Sequence, residues 1–171
     1  MAITRLNNNS ITSITALPSA VAVDNAPYFQ AITWNGNQSP TANTWTKAPY
    51  YSEAFDPDGV YDTTNNYFTV PSGKAGKYFF YATVWGSQIN QSERCAIRFY
   101  RDVGSGFTSS SSNGTGEIQN WASYNNEANI LQISTTLDLS VGDKVAVYYL
   151  LNNGSSYANE LYNRFLGYKL I

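Results

Sequence analysis

The 171-residue chain carries 10 basic and 12 acidic residues, a formal net charge of -2, and no histidine. That balance offers no basic stripe to neutralise phosphates, so nucleic acid is not an expected partner. The missing histidine removes the commonest general base and neutral metal ligand and excludes a Ser-His-Asp arrangement. With 14 Tyr, 8 Phe and 4 Trp against 13% charged residues, the composition points to one β-rich domain with a polar, sparsely charged surface.

Along the chain, two regions are expected. Residues 1–25 are rich in Asn, Ser, Thr and Ile, with Leu17-Pro18-Ser19 as a break. Such a segment cannot build a core, so it is expected to be either disordered or an arm that orders against another chain. Its apolar residues Ile3, Leu6, Ile11, Ile14 and Leu17 are the candidate docking contacts. No hydrophobic signal region and no run approaching ~18 apolar residues occurs, so synthesis in a cytoplasm, with no membrane partner, is expected.

From Ala26 onward, short apolar or alternating runs are cut by Gly, Asn, Asp and Pro, the signature of an all-β domain over residues 26–171. Strands are predicted at Tyr28 to Trp34, around Trp45 to Ala54, and at Tyr67 to Val70, Tyr78 to Trp85, Arg94 to Arg101, Ile130 to Leu137, Lys144 to Leu151 and Arg164 to Ile171. The run Tyr78 to Trp85 is apolar on both faces: Tyr78, Phe80, Ala82 and Val84 alternate with Phe79, Tyr81, Thr83 and Trp85. A sandwich core covers one face of such a strand. The other needs a second cover, and a neighbouring subunit is the expected one. Gly104 to Gly116 is predicted to be a long loop, and Leu139 to Asp143 a compact turn with Gly142 free to take a left-handed conformation.

Other residues are read more plainly. Cys95, the sole cysteine, stands in an apolar run and is expected to be a small buried hydrophobe, with no disulfide possible within the chain. The acidic stretch Asp56-Pro57-Asp58-Gly59 to Asp62 is expected to be a turn and not a calcium loop, because the glycine comes too early and no bidentate Glu follows. No carboxylates are spaced as a catalytic pair, so neither catalytic residues nor a cofactor are expected. Trp85 reads as a packing residue, while Trp121 and Tyr124 beside the Gly/Ser loop are candidate contacts for a host carbohydrate.

Several segments, in one order, resemble the globular C1q/TNF-like jelly roll. Tyr61, Phe68, Val70, Pro71, Gly76, Tyr78 and Phe80 resemble its Tyr…Phe-x-x-x-Pro-x-Gly-x-Tyr-x-Phe signature, with three extra residues before the glycine. Leu137-x-Leu139-x-x-Gly142-Asp143-x-Val145 resembles its late hairpin, and Phe165-x-Gly167-x-x-Leu170 its closing strand. The resemblance implies a ten-stranded-type sandwich that forms a homotrimer, with Tyr78, Phe79, Tyr81, Trp85, Tyr148 and Phe165 at the trimer interface. Separately, the opening Ala2-Ile3-Thr4-Arg5-Leu6-Asn7-Asn8-Asn9-Ser10-Ile11-Thr12 resembles small virion proteins of tailed bacteriophages. Together these imply a non-enzymatic knob on a virion surface, decorating the capsid and bound to other virion proteins by its arm. The alternative they imply is a tail-fibre or receptor-binding knob that recognises host carbohydrate.

Overall fold

The computed structural model describes residues 25–32, 36–108, 117–121, 127–153, 157–158 and 163–170. The arm residues Ile3, Leu6, Ile11, Ile14 and Leu17 lie outside them. The described elements are all strands: β1 (Tyr28–Ile32), β2 (Thr46–Lys47), β3 (Ser52–Phe55), β4 (Tyr61–Asp62), β5 (Tyr67–Thr69), β6 (Gly76–Ile89), β7 (Arg94–Asp102), β8 (Glu117–Trp121), β9 (Glu127–Leu139), β10 (Lys144–Leu151), β11 (Tyr157–Ala158) and β12 (Arg164–Lys169).

They form two antiparallel six-stranded sheets. In the first, β9 pairs along one edge of β6, while β12 and then β11 pair along its other edge, and β1 and β3 follow outward from β12. In the second, β10 is central, with β7 and β8 on one side and β5, β4 and the short β2 on the other. The sheets enclose one core, and the alternation in β6 decides which side chains enter it. Tyr78, Phe80, Ala82 and Val84 all point inward and are buried. They meet Phe68, Phe99 and Val147 of the second sheet within the same core. Cys95 is buried there as well.

One connection and one strand differ from the sequence reading. The Leu139 to Asp143 turn is not a hairpin, because β9 pairs with β6 in the first sheet and β10 with β7 in the second. It is a corner that carries the chain between sheets. Gly142 takes φ +86° there, and the corner is stitched to the end of β5 by Gly142 N–H to Val70 C=O and Val70 N–H to Asp143 C=O, both at 2.9 Å. The second difference is β8, which is too polar and too near the Gly/Ser stretch to show a strand period, yet pairs with β7 from Arg98↔Glu117 to Arg94↔Trp121.

Gly167 shows how tightly the core-facing rings of neighbouring strands close over β12. It lies opposite Phe29 on β1 and Phe80 on β6, and a Cβ placed on it would stand 2.5 Å from Phe80 Cδ1 and 2.9 Å from Phe29 Cε1. Both rings belong to the packed core, so neither can swing into solvent. Gly167→Ala is expected to cost about 1–3 kcal/mol by overpacking, lowering the melting temperature by roughly 2–4 °C per kcal/mol for a chain of this size. A circular-dichroism melt superimposable on that of the wild type would show that the rings have room to yield.

Candidate assembly face

The outward side of the first sheet is built from residues of one parity on four strands. In the first row Tyr28 of β1 lies opposite Tyr168 of β12, Tyr168 opposite Phe79 of β6, and Phe79 opposite Thr136 of β9. In the second row Gln30, Leu166, Tyr81 and Ser134 follow in the same order. Further along β6, Trp85 lies opposite Ile130. The period of two therefore gathers aromatic and aliphatic side chains on a face that the protomer's own core does not cover.

Exposure confirms the asymmetry. Tyr28, Phe55 and Ile130 keep 44%, 46% and 51% of their surface, and Phe79, Tyr81, Trp85, Leu166 and Tyr168 are half-buried. The rings support one another sideways, Phe79 against Tyr168 at 5.3 Å and Tyr28 against Phe55 at 5.8 Å between centroids. A shallow hollow of about 390 Å³ between Tyr28, Phe55, Leu166 and Tyr168 indents the face. Thr83 shares the parity of Phe79 but is buried, its hydroxyl accepting the Arg164 N–H at 3.0 Å. Asn163 accepts the Trp85 N–H at 2.7 Å. These bonds fix the β6–β12 seam below the aromatic rows.

Of the six residues that the resemblance assigns to a subunit interface, Phe79, Tyr81 and Trp85 stand on this face and three do not. Tyr78 and Phe165 have 0% exposure within a single chain and have no area left to give to a partner. Tyr78 shares the inward parity of Phe80, and its hydroxyl donates to the Lys74 carbonyl at 2.6 Å. Phe165 is ringed by Phe29, Tyr50, Tyr61, Phe80 and Phe99 at centroid distances of 4.9 to 6.0 Å. Tyr148 is half-buried but belongs to β10, on the outer side of the opposite sheet, where it stacks on Tyr100 at 4.0 Å. Trp121 ends β8, and its side chain lies outside the described residues together with the whole of Tyr124.

The acidic turn is constructed as the sequence predicts. The Asp56 carboxylate accepts the backbone N–H groups of Val60 and Tyr61 at 3.0 and 2.8 Å, and Gly59 takes φ +61°. Asp62 accepts from the N–H groups of Thr64 and Asn65 and from the Asn65 amide, and the Asn65 bonds are the chief cause holding its pKa below the usual carboxylate value. Asp143 is held by Arg101 and by the Ser140 N–H, and Glu93 by the Asn90 N–H and the amide of Asn153. These carboxylates hold turns and corners.

No family model matches the chain, and no curated protein matches it. Solved structures do match. The globular domain of zebrafish complement 1qA superposes with a TM-score of 0.59 at 15% identity, covering 85% of this chain and 98% of that one. Eiger TNF from S. frugiperda gives 0.63 at 12% identity over 84% and 92% of the two chains, and murine APRIL 0.61 at 14% over 84% and 98%. At such identities what is shared is the fold: the chain is a C1q/TNF-like jelly roll.

Proposed function

We propose that the chain is a non-enzymatic structural protein that self-associates as a homotrimer through the outer face of the first sheet, and that it serves as a surface knob decorating a bacteriophage capsid. The observation that carries the assembly is the row Tyr28, Tyr168, Phe79 with Leu166, Tyr81 and Trp85 beside it. Tyr and Phe bury large areas at small entropic cost and suit the centre of an interface. The C1q and TNF neighbours support the same stoichiometry. The virion role rests on the resemblance of residues 2–12 to tailed-phage proteins, with residues 1–25 as the anchor to other virion proteins and the virion surface as the location.

Light scattering tests the assembly. At micromolar concentration the mass is expected to be three times the 18.9 kDa of the chain, and a monomer mass would remove the proposal. Deleting residues 2–20 tests the anchor. The shortened trimer is expected to melt nearly as the full chain does and to fail to load onto particles stripped of the native protein; loading at full occupancy would place attachment in the knob. The tail-fibre or receptor-binding reading gains support from a different surface, the outer side of the second sheet.

A further inference from the structure

The outer side of the second sheet carries a continuous path of aromatic rings. Tyr67 of β5 approaches Phe107 at 5.8 Å, Phe107 approaches Tyr148 of β10 at 6.2 Å, and Tyr148 stacks on Tyr100 of β7 at 4.0 Å. Trp45 continues the path beside Tyr100 at 6.3 Å, under the guanidinium of Arg98. Exposed rings in line, each half-buried, form a platform and not a core.

Two lysines stand in this platform. Lys47 Nζ is 4.4 Å from the centre of Phe107 and 5.5 Å from that of Tyr67, and Lys144 Nζ is 4.8 Å from Tyr67. The other cations nearby are already neutralised, Arg98 by Glu117 and Arg101 by Asp143. Among the described residues neither lysine forms an ion pair. Among the same residues Lys47 donates only to the Asn65 carbonyl, at 3.1 Å. Asp62 and Asp102, whose charges act on Lys47, are turned toward their own loops, Asp62 by the Thr64 and Asn65 N–H groups and Asp102 by those of Gly104 and Gly106, the last two at 2.8 Å. Burial, and after it the charge of Lys144, lower the pKa of Lys47 against the pull of Asp62 and Asp102. The ring cluster therefore holds two like charges that act on each other, neither of them within ion-pair distance of a carboxylate among the described residues.

We infer that this face is a binding surface for an acidic saccharide, whose sugar rings stack on Tyr67, Phe107 and Tyr148 while its carboxylates are held by Lys47 and Lys144. Three features select that ligand class. The rings offer stacking faces, and the ammonium groups offer rotatable donors to an anion. The site lies over β10, which is paired on both edges, so an acidic peptide cannot add there as a strand. Two lysines on a chain of net charge -2 are too few for a nucleic-acid backbone. The inference needs neither trimer nor particle, because each protomer carries the whole platform, and it can fail while the assembly proposal stands. In a trimer closed through the first sheet, the platform would face outward in three copies, adding avidity.

Titration calorimetry on the full chain tests this with oligogalacturonate, a neutral galacto-oligosaccharide of equal length, oligoglutamate and oligo-dT. Oligogalacturonate is expected to bind, more weakly as salt is raised, and the neutral sugar to bind far less. Lys47→Gln with Lys144→Gln is expected to weaken binding by roughly tenfold or more, while Lys47→Arg with Lys144→Arg keeps it, both variants melting near the wild type. Four results would overturn the inference: no binding of oligogalacturonate; equal affinity in the Gln variant; equal affinity for the neutral sugar; or tighter binding of oligo-dT or oligoglutamate.

Discussion

Phe165→Ala is expected to destabilise each protomer by about 3–5 kcal/mol, the usual cost of emptying a fully buried phenylalanine site. The ring sits where β12 turns toward the core, edge-on to Phe29 at 4.9 Å and within 6.0 Å of Tyr50, Tyr61, Phe80 and Phe99. Collapse around the lost ring is limited, since Tyr50 is pinned by its hydroxyl to the Thr83 carbonyl at 3.1 Å and its aromatic neighbours already pack on one another. For a chain of this length the loss corresponds to a fall in melting temperature of roughly 6–20 °C. Urea unfolding should move to a lower midpoint with an unchanged slope. The same experiment separates a core role from an interface role. A core residue shifts the midpoint equally at every protein concentration, whereas an interface residue changes only how stability depends on concentration. A variant that unfolds like the wild type when dilute and differs only in association would return Phe165 to the interface.

Why the resemblance assigns the buried Phe165 and Tyr78 to an interface, while the alternation puts Phe79 and Tyr81 on the face they occupy, is a matter of parity and partners. Along β6 the alternation is legible over a long run, and it separates the two faces correctly. Tyr78 needed only that rule, since it shares the parity of Phe80; being aromatic and polar-tipped is no guide to which side it takes. Phe165 is harder. Its neighbours Leu166 and Tyr168 are apolar too, so no alternation marks the inward side, and only pairing with Ala82 of β6 and Ala31 of β1 shows it. Tyr148 depends on which sheet β10 joins, which is fixed by pairing with β7 more than forty residues earlier and not by any local pattern. The same non-locality explains why the Gly142 turn resembles a hairpin in sequence while serving as a corner. The Lys47, Tyr67, Phe107 and Lys144 cluster is assembled from four separated segments, none of which carries a motif by itself.

Placing a carboxylate at the centre of the assembly face is expected to separate subunits without unfolding them. Phe79 is half-exposed in the protomer and rests on Tyr168 at 5.3 Å. In an isolated chain Phe79→Asp loses that cross-strand pair, about 0.2–1 kcal/mol, and its new carboxylate remains in water. In an assembled trimer the same carboxylate would be taken out of water among the aromatic rings of a partner face, at a cost of several kcal/mol per subunit. The cost recurs at each subunit contact, so it should outweigh what the remaining rings contribute. Light scattering of Phe79→Asp and of Tyr81→Asp is expected to return the single-chain mass of 18.9 kDa, with far-ultraviolet dichroism retained. Val141→Asp supplies the control: it puts the same charge on an exposed corner residue, and its mass should stay that of the wild type. The three chains together distinguish the alternatives. Trimers from both face variants would mean that subunits meet elsewhere, through the second sheet or the arm. Insoluble protein from the face variants, beside a soluble Val141→Asp, would mean that the rows are needed for folding itself and that assembly and folding are one step. Soluble folded monomers from both are what the aromatic rows of the first sheet require if their function is to be covered by another copy of the chain.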